Sequence, residues 1–384
     1  MARTLFETTK GGILFVLGDE SLPVYQREGD VEIIRCNPTA ENLLERSLQF
    51  SRQLARLVAG QRDSLEICHF RDPWSGVPVL ENRAPGCVAV YEINGLPSIE
   101  LPYRYPNVAP ETLRKIRAAE QFCWSEADAI ITPSRTMREN LIALGVTPEK
   151  ISVVPNGAEP KDKPPTPADA PQRYVMYFGA LQRWQGVDNL LRAMSRLADL
   201  DDLWLVVCSS THQRQSKVLR KLAEKLGVAD RTLWFFGLDE EELAPWRANA
   251  LLTVAPLTDC SRNIEQGCCP LKILESMAAG VPVVATDLPS VREIVTNRVD
   301  GWLVRPDRPS ELAMAIRLMI EYPDRLRNMG EAARRRIEEC FTWEESLARL
   351  SATYVELLAG RGANSAVDSF ATPAGCIPMR GEAQ

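Results

Sequence analysis

Lys272 and Glu275 stand one turn apart at the start of an apolar helical pattern (Leu271, Ile273, Leu274, Met277, Ala278), and the loop Gly267, Cys268, Cys269, Pro270 leads into it. A loop that opens a helix points free backbone N–H groups and the positive end of the helix dipole the same way, so it receives anions. A cation beside that cradle and a carboxylate one turn on would suit a nucleotide sugar. The amides and Lys272 would take the diphosphate, and Glu275 the ribose hydroxyls. The same spacing also describes an ordinary loop–helix–strand unit whose Lys and Glu are merely solvated.

The elements that must position these residues can be read on either side. A Gly-Val-Pro turn after the helix leads into a buried strand, Val283 to Ala285, and a second helix starts near Pro289. Upstream, Val175 to Phe178 reads as a strand ending in Gly179. Leu181 to Gly186 is a loop, and a helix starts at Val187. This is a second phosphate-facing turn. Arg183 in that loop is a cation able to make a bidentate contact with phosphate oxygens. Strands at Leu203 to Val207, Thr232 to Phe236 and Leu251 to Ala255 alternate with helices at Ser216 to Leu226 and Glu240 to Ala248. Alternating strand–helix units make a doubly wound parallel sheet.

The first half repeats the theme less regularly. Strands are expected at Ile13 to Leu17, Val31 to Arg35, Leu65 to Phe70, Val88 to Ile93, Ala129 to Thr132 and Ile151 to Val154. Helices are expected at Ala40 to Val58, Glu111 to Trp124 and Thr136 to Leu144, the last with Ser134 as its cap. The strand, Gly-rich loop and helix with which a nucleotide-binding domain opens are not found in the first 50 residues. Leu101 to Pro110 reads as a loop. Polar residues at the carboxyl ends of strands face the crevice of an open α/β sheet, which singles out His69; the next strand ends at Asn94. Glu92 should share a side with Asn94. Each could equally be a satisfied structural group.

The 384 residues allow two or three domains, and 45% hydrophobic residues suffice for packed cores. The boundaries read as a first domain over 1–160, a Pro-rich linker over 161–171, a second domain over 172–340, a final helix over 341–360 and a disordered tail over 361–384. A net charge of -6 argues against a nucleic-acid partner. The 10 Cys form no Cys-x-x-Cys pair, so no metal is expected, and a reducing cytoplasm is the simplest compartment. No apolar run reaches membrane-spanning length. Arg325, Arg327 and Arg334 to Arg336 form a basic run of the kind that is usually a solvated helix face, with peripheral contact with the inner membrane face as the alternative.

Several segments together carry a family resemblance: IITPSRTMRENL, the Pro155-Asn156-Gly157 turn, YFGALQRWQGVDNLL and PLKILESMAAGVPVVATD, in that order. The chain resembles the family-four retaining glycosyltransferases of the GT-B fold, well over about 85 to 358 and poorly before. The resemblance implies two Rossmann-like domains facing a cleft, with the final helix crossing back to the first. It implies a donor in the second domain and an acceptor, saccharide or lipid-linked, in the first. The family pattern of two Glu separated by seven residues finds its second Glu at Glu275 and Gly267 in place of the first, so Glu265 is the substitute. The family's Arg after the first Gly and Lys before the second are here Ala180 and Gln185, which leaves Arg183 and Lys272 for the diphosphate. Asn94 stands where the family often has a His. Gly179, Cys268, Cys269, Pro270, Leu271 and His69 complete the expected donor and acceptor contacts.

The expected activity is transfer of a hexose from a nucleoside-diphosphate sugar without metal or other cofactor, with the leaving phosphate helping to deprotonate the acceptor. Exopolysaccharide or glycolipid assembly is its expected setting. The alternative is a relative that binds a nucleotide sugar or a partner enzyme without transfer. A sugar-nucleotide epimerase of the same architecture lacks placeable carboxylates and His.

Overall fold

A computed structural model describes Phe6 and residues 11–362. The chain divides into two compact units. The first runs to Pro133 and takes in Arg138–Val154 and the last helix from Ser346. The second comprises Ser134–Met137 and Pro155–Glu345.

In the first unit, β1 (Gly12–Leu17), β2 (Tyr25–Glu28) and β3 (Val31–Cys36) form a small sheet in the order β1-β3-β2. β3 runs parallel to β1 and antiparallel to β2. A strand thus occupies the polar stretch where an opening helix is normally found. Four parallel strands follow in sequential order: β4 (Ile67–Phe70), β5 (Val88–Glu92), β6 (Ala129–Thr132) and β7 (Ile151–Val153). Val88, Val90, Ile131 and Val154 pack against Leu350 and Tyr354 of the last helix, Trp343–Gly362.

Two helices of this unit depart from the sequence reading. Pro73–Asn82 was not anticipated, because Pro78 interrupts its pattern. It forms because Asp72 accepts from the Ser75 amide at 2.9 Å and Pro73 occupies the first turn, where no N–H is needed. Pro97–Arg104 likewise takes the first four residues of the stretch read as a loop, again with Pro in its first turn.

The second unit holds one six-stranded parallel sheet: β8 (Arg173–Gly179), β9 (Leu203–Ser209), β10 (Thr232–Phe236), β11 (Leu252–Ala255), β12 (Val283–Thr286) and β13 (Trp302–Val304). The order is β10-β9-β8-β11-β12-β13. This is the doubly wound 3-2-1-4-5-6 arrangement, whose strand order reverses between β8 and β11. Alternate residues of β8 serve two cores. Val175 and Tyr177 join the helices Val187–Ser195 and Pro309–Glu321. Tyr174, Met176 and Phe178 join Trp246 of the helix Glu240–Asn249. Helices therefore cover both faces, as near-continuous apolar strands require.

The helix expected near Pro289 is a single turn, Pro289–Arg292. The last helix reaches Gly362, two residues into the expected tail, and the rest of that tail lies outside the described residues. Among the described residues no helix is long and apolar enough to cross a membrane.

Candidate functional site

Ligands of doubly wound sheets bind beyond the carboxyl ends of the strands where the order reverses. The two loops leaving that point here are the two singled out by sequence. The one after β8 carries Gly179, a short 3-10 turn Arg183–Gln185 and Gly186. The one after β11 carries the short helix Ser261–Ile264, then Gly267 to Pro270 and the helix Leu271–Ala278.

The loops are tied together by backbone and amide groups. Thr258 N–H and Asn263 Nδ2 both donate to the Trp184 carbonyl, each at 3.0 Å. Asn263 is fully buried and also donates to the Thr258 carbonyl at 2.8 Å. The Arg262 guanidinium lies 5.4 Å above the Trp184 ring.

Lys272 reaches across this junction. Its ammonium donates to the Gln185 side-chain oxygen and, at 3.1 Å, to the Tyr177 hydroxyl, and lies 4.3 Å from the Tyr177 ring centre. Tyr177 in turn donates to the Ala180 carbonyl at 2.5 Å. A methyl on Gly179 would sit 3.2 Å from the ammonium, so this glycine lets Lys272 close on the β8 turn. Every side-chain partner of Lys272 is neutral. Burial pushes its pKa down to about 7; Arg262 adds to this, and Cys268 and Glu275 oppose it. The helix that carries it begins at Pro270 with no side-chain cap. The leading amides, Leu271 and Lys272, find no acceptor among the described residues. Cation and amides together form an electropositive spot in need of an anion.

Glu275 lies one turn on. Burial raises its pKa, while Arg247, whose Nη1 is 3.5 Å away, lowers it. Arg247 is itself buried, held by Glu240 at 2.7 Å and stacked over Phe178 at 5.5 Å.

Other expected residues fall differently. Arg183 is exposed, and its guanidinium makes no hydrogen bond or ion pair among the described residues. Arg262, stacked over Trp184, is the cation whose charge bears on Lys272. Glu265 is exposed and pairs with none of the cluster. Gly267 occupies the position of the family's first carboxylate for a steric reason: its φ is +73° and a Cβ would meet Met137 N at 3.1 Å, Thr136 Cγ2 at 3.2 Å and Ser134 Oγ at 3.3 Å. Cys268 Sγ lies 3.7 Å from Ser290 Oγ, and the Cys269 carbonyl accepts from Asn156 Nδ2 at 2.9 Å. Both cysteines are buried, and burial pushes the Cys269 thiol up to about 12. They shape the loop backbone, and Cys269 presents no thiolate. Leu271 is 42% exposed beside the cradle.

In the first unit, His69 and Asn94 meet on Glu92. Glu92 Oε2 receives His69 Nε2 at 2.9 Å, and Oε1 receives Asn94 Nδ2 at 2.5 Å and Arg71 Nη2 at 3.2 Å. Burial alone would raise the Glu92 pKa, but these donors overcome it and hold the pKa at about 2. The other ring nitrogen of His69 bonds the Tyr354 hydroxyl of the last helix. Tyr354 can donate to Nδ1 while Nε2–H donates to the carboxylate, so each member of the chain has a partner. The amide nitrogen of Asn94 donates to Glu92. Replacing His69 by Leu leaves a buried carboxylate short of a donor and removes the tie to the last helix. We expect a loss of about 2 kcal/mol in urea unfolding. An unchanged midpoint would mean that water replaces the imidazole.

The basic run is largely engaged internally. Arg336 donates to the Ile294 carbonyl at 2.8 Å, Arg334 pairs with Glu338 at 2.9 Å, and Arg327 pairs with Asp324. Sequence reading missed Tyr177, Arg247, Arg262 and Asn263. Only Arg262, in the short helix Ser261–Ile264 after β11, carried a local signal.

Comparison with known proteins gives the family. Residues 13–157 match the glycosyl transferase 4-like domain and residues 158–336 the glycosyl transferases group 1. The chain is 30% identical to an MMP alpha-(1->4)-mannosyltransferase of Mycolicibacterium hassiacum, over 81% of this chain and 75% of that one. It is 27% identical to a D-inositol 3-phosphate glycosyltransferase 1 of Catenulispora acidiphila, over 92% and 79%. In structure it is similar to a sucrose-phosphate synthase from Thermosynechococcus elongatus (TM-score 0.74, 20% identity, 91% and 89% covered). It is also similar to Anabaena Alr3699/HepE in complex with UDP-glucose (TM-score 0.67, 18% identity, 93% and 88% covered). The match across both halves, together with a doubly wound sheet whose reversal point carries Lys272 and Glu275, makes this chain a member of the family-four-type glycosyltransferases of the GT-B fold.

Proposed function

We propose that the protein is a retaining, metal-independent hexosyltransferase that moves a sugar from a nucleoside-diphosphate donor to a saccharide or lipid-linked acceptor. The observation that carries this reading is Lys272: a desolvated ammonium with only neutral partners, beside uncapped helix amides at the sheet's reversal point. A diphosphate completes that set. Lys272, Arg262 and the amides of Leu271 and Lys272 stabilise the charge that develops on the leaving diphosphate, the work a metal does elsewhere. Glu275 accepts from the ribose hydroxyls. Departure on the same face as acceptor attack lets a phosphate oxygen take the acceptor proton, so no side-chain base is needed at Gly267. The Asn94 carbonyl orients a hydroxyl of acceptor or sugar. Saccharide or glycolipid assembly at the cytoplasmic face of the membrane is the setting we propose.

A thermal-shift panel of UDP-, GDP- and ADP-sugars tests the reading. Donor at 100 times its Kd stabilises by about 2.7 kcal/mol, and the best donor then shows slow hydrolysis or transfer that survives a chelator. No shift with any nucleotide sugar sinks the site, and turnover abolished by chelation sinks metal independence. The glycine at position 267 favours a second reading, a protein that binds the donor without transfer. Its signature is a thermal shift with neither hydrolysis nor product.

A further inference from the structure

Arg247 belongs to none of the expected contacts, yet it is a buried cation, only 7% exposed, in the second unit's core. Its guanidinium spans two carboxylates. Nη2 lies 2.7 Å from Glu240 Oε1, while Nη1 lies 3.4 Å from Glu240 Oε2 and 3.5 Å from Glu275 Oε2. Its face packs 5.5 Å over Phe178, the penultimate residue of β8, and its Nε is buried with no hydrogen-bond partner. An arginine held in this way has one orientation, because the fork, the ring and the helix Glu240–Asn249 each restrict it. The bond to Glu240 is short and the one to Glu275 long, so Glu275 is steered but not saturated.

We infer that Arg247 is a positioning residue for the donor's ribose. It keeps the half-buried Glu275 carboxylate ionised and aimed, so that Glu275 can accept from the vicinal hydroxyls. The charged groups facing Glu275 are Arg247 and Glu240 from the helix Glu240–Asn249 and Lys272 from its own helix. Of the two cations, Arg247 is the one in ion-pair contact. Without it, Glu275 is a partly buried acid beside Glu240, and both burial and that neighbour favour its protonated form. A protonated carboxyl loses the charge-assisted bonds that distinguish a ribose from a deoxyribose. The inference rests on the proposed donor reading, and the test separates the two.

UDP, GDP and ADP are titrated by calorimetry at pH 7.0, each against its 2′-deoxy counterpart. The wild type prefers the ribonucleotide about tenfold or more, the value of hydrogen bonds to a charged acceptor. Arg247→Met lowers that preference below about threefold, and Arg247→Lys, which keeps a charge but not the fork, gives an intermediate value. The ratio of the two nucleotides is insensitive to Lys272, which both share. Retained binding of the 2′-deoxy nucleotide shows that each variant keeps a folded site. Arg247→Met and Arg247→Lys with wild-type ratios would overturn the role of Arg247. A wild type that shows no preference would instead overturn the ribose contact of Glu275.

Discussion

Lys272→Met lowers affinity for a nucleoside diphosphate by about 100-fold, and it removes a pH dependence that the wild type shows. The size follows from losing charge-assisted hydrogen bonds in a partly dry site, each about 1.5–3 kcal/mol. The pH dependence follows from the neutral company of Lys272. With burial holding its pKa at about 7, the empty site carries the full charge only below neutrality. A bound diphosphate restores the counter-charge and raises that pKa, so binding above pH 7 takes up a proton. The sign is fixed by linkage. The contribution of Lys272 to affinity is flat below about pH 7, then falls toward a limit of about tenfold per pH unit until the pKa of the complex is reached. Calorimetry from pH 6 to 9, in buffers of different ionisation enthalpy, reads both the slope and the proton count. A wild-type profile that is flat to pH 9, or a Lys272→Met variant that keeps the slope, would show that the diphosphate does not sit on this ammonium.

The route by which Lys272 comes to this place also explains what sequence could show. Where the family pattern has a Lys before the second Gly of the first loop, this chain has Gln185, and the Gln185 oxygen accepts from Lys272 of the other loop. The cation has moved across the junction, and the pattern alone records only that one loop lost it. Arg183 looked like the replacement because it lies in the right loop. It is exposed, since the 3-10 turn that aims Gln185 inward turns Arg183 outward. The doubly wound sheet was legible because its strands are uniform apolar runs between helical patterns. The helix Pro73–Asn82 was not, because Pro78 hides a helix that Asp72 and Pro73 start well. Arg247 reads locally as part of a solvated helix face. Its burial depends on β8, some seventy residues earlier. The contact of His69 with Tyr354 spans 285 residues and has no local trace. Gly267 shows the reverse case. Its position in the pattern was legible, but the reason for a glycine there is the chain at Ser134–Met137 against which it packs.

The loop junction itself gives the second large effect, on stability. Gly186 ends the 3-10 turn and caps the helix Val187–Ser195 with φ +67°. Its carbonyl accepts the Asn189 amide at 3.0 Å. A Cβ there would overlap the Pro256 carbonyl oxygen and stand 3.0 Å from the carbonyl carbon. Both are backbone atoms of the segment leaving β11, so no rotamer change relieves them. Gly186→Ala must part the two loops, breaking the Thr258 and Asn263 bonds to the Trp184 carbonyl and drawing Gln185 off Lys272. We expect a destabilisation of about 4 kcal/mol, combining left-handed strain with backbone overlap. For a unit of this size that is a fall of about 10 °C in Tm. Gly237→Ala separates the two terms. Gly237 lies in the same unit at φ +69° with nothing within 4 Å of its Cβ position, so it registers the strain alone, about 1 kcal/mol. If Gly186→Ala melts within a degree or so of Gly237→Ala, the loops yield freely, and the junction cannot be the rigid frame that holds Lys272 over the β8 turn.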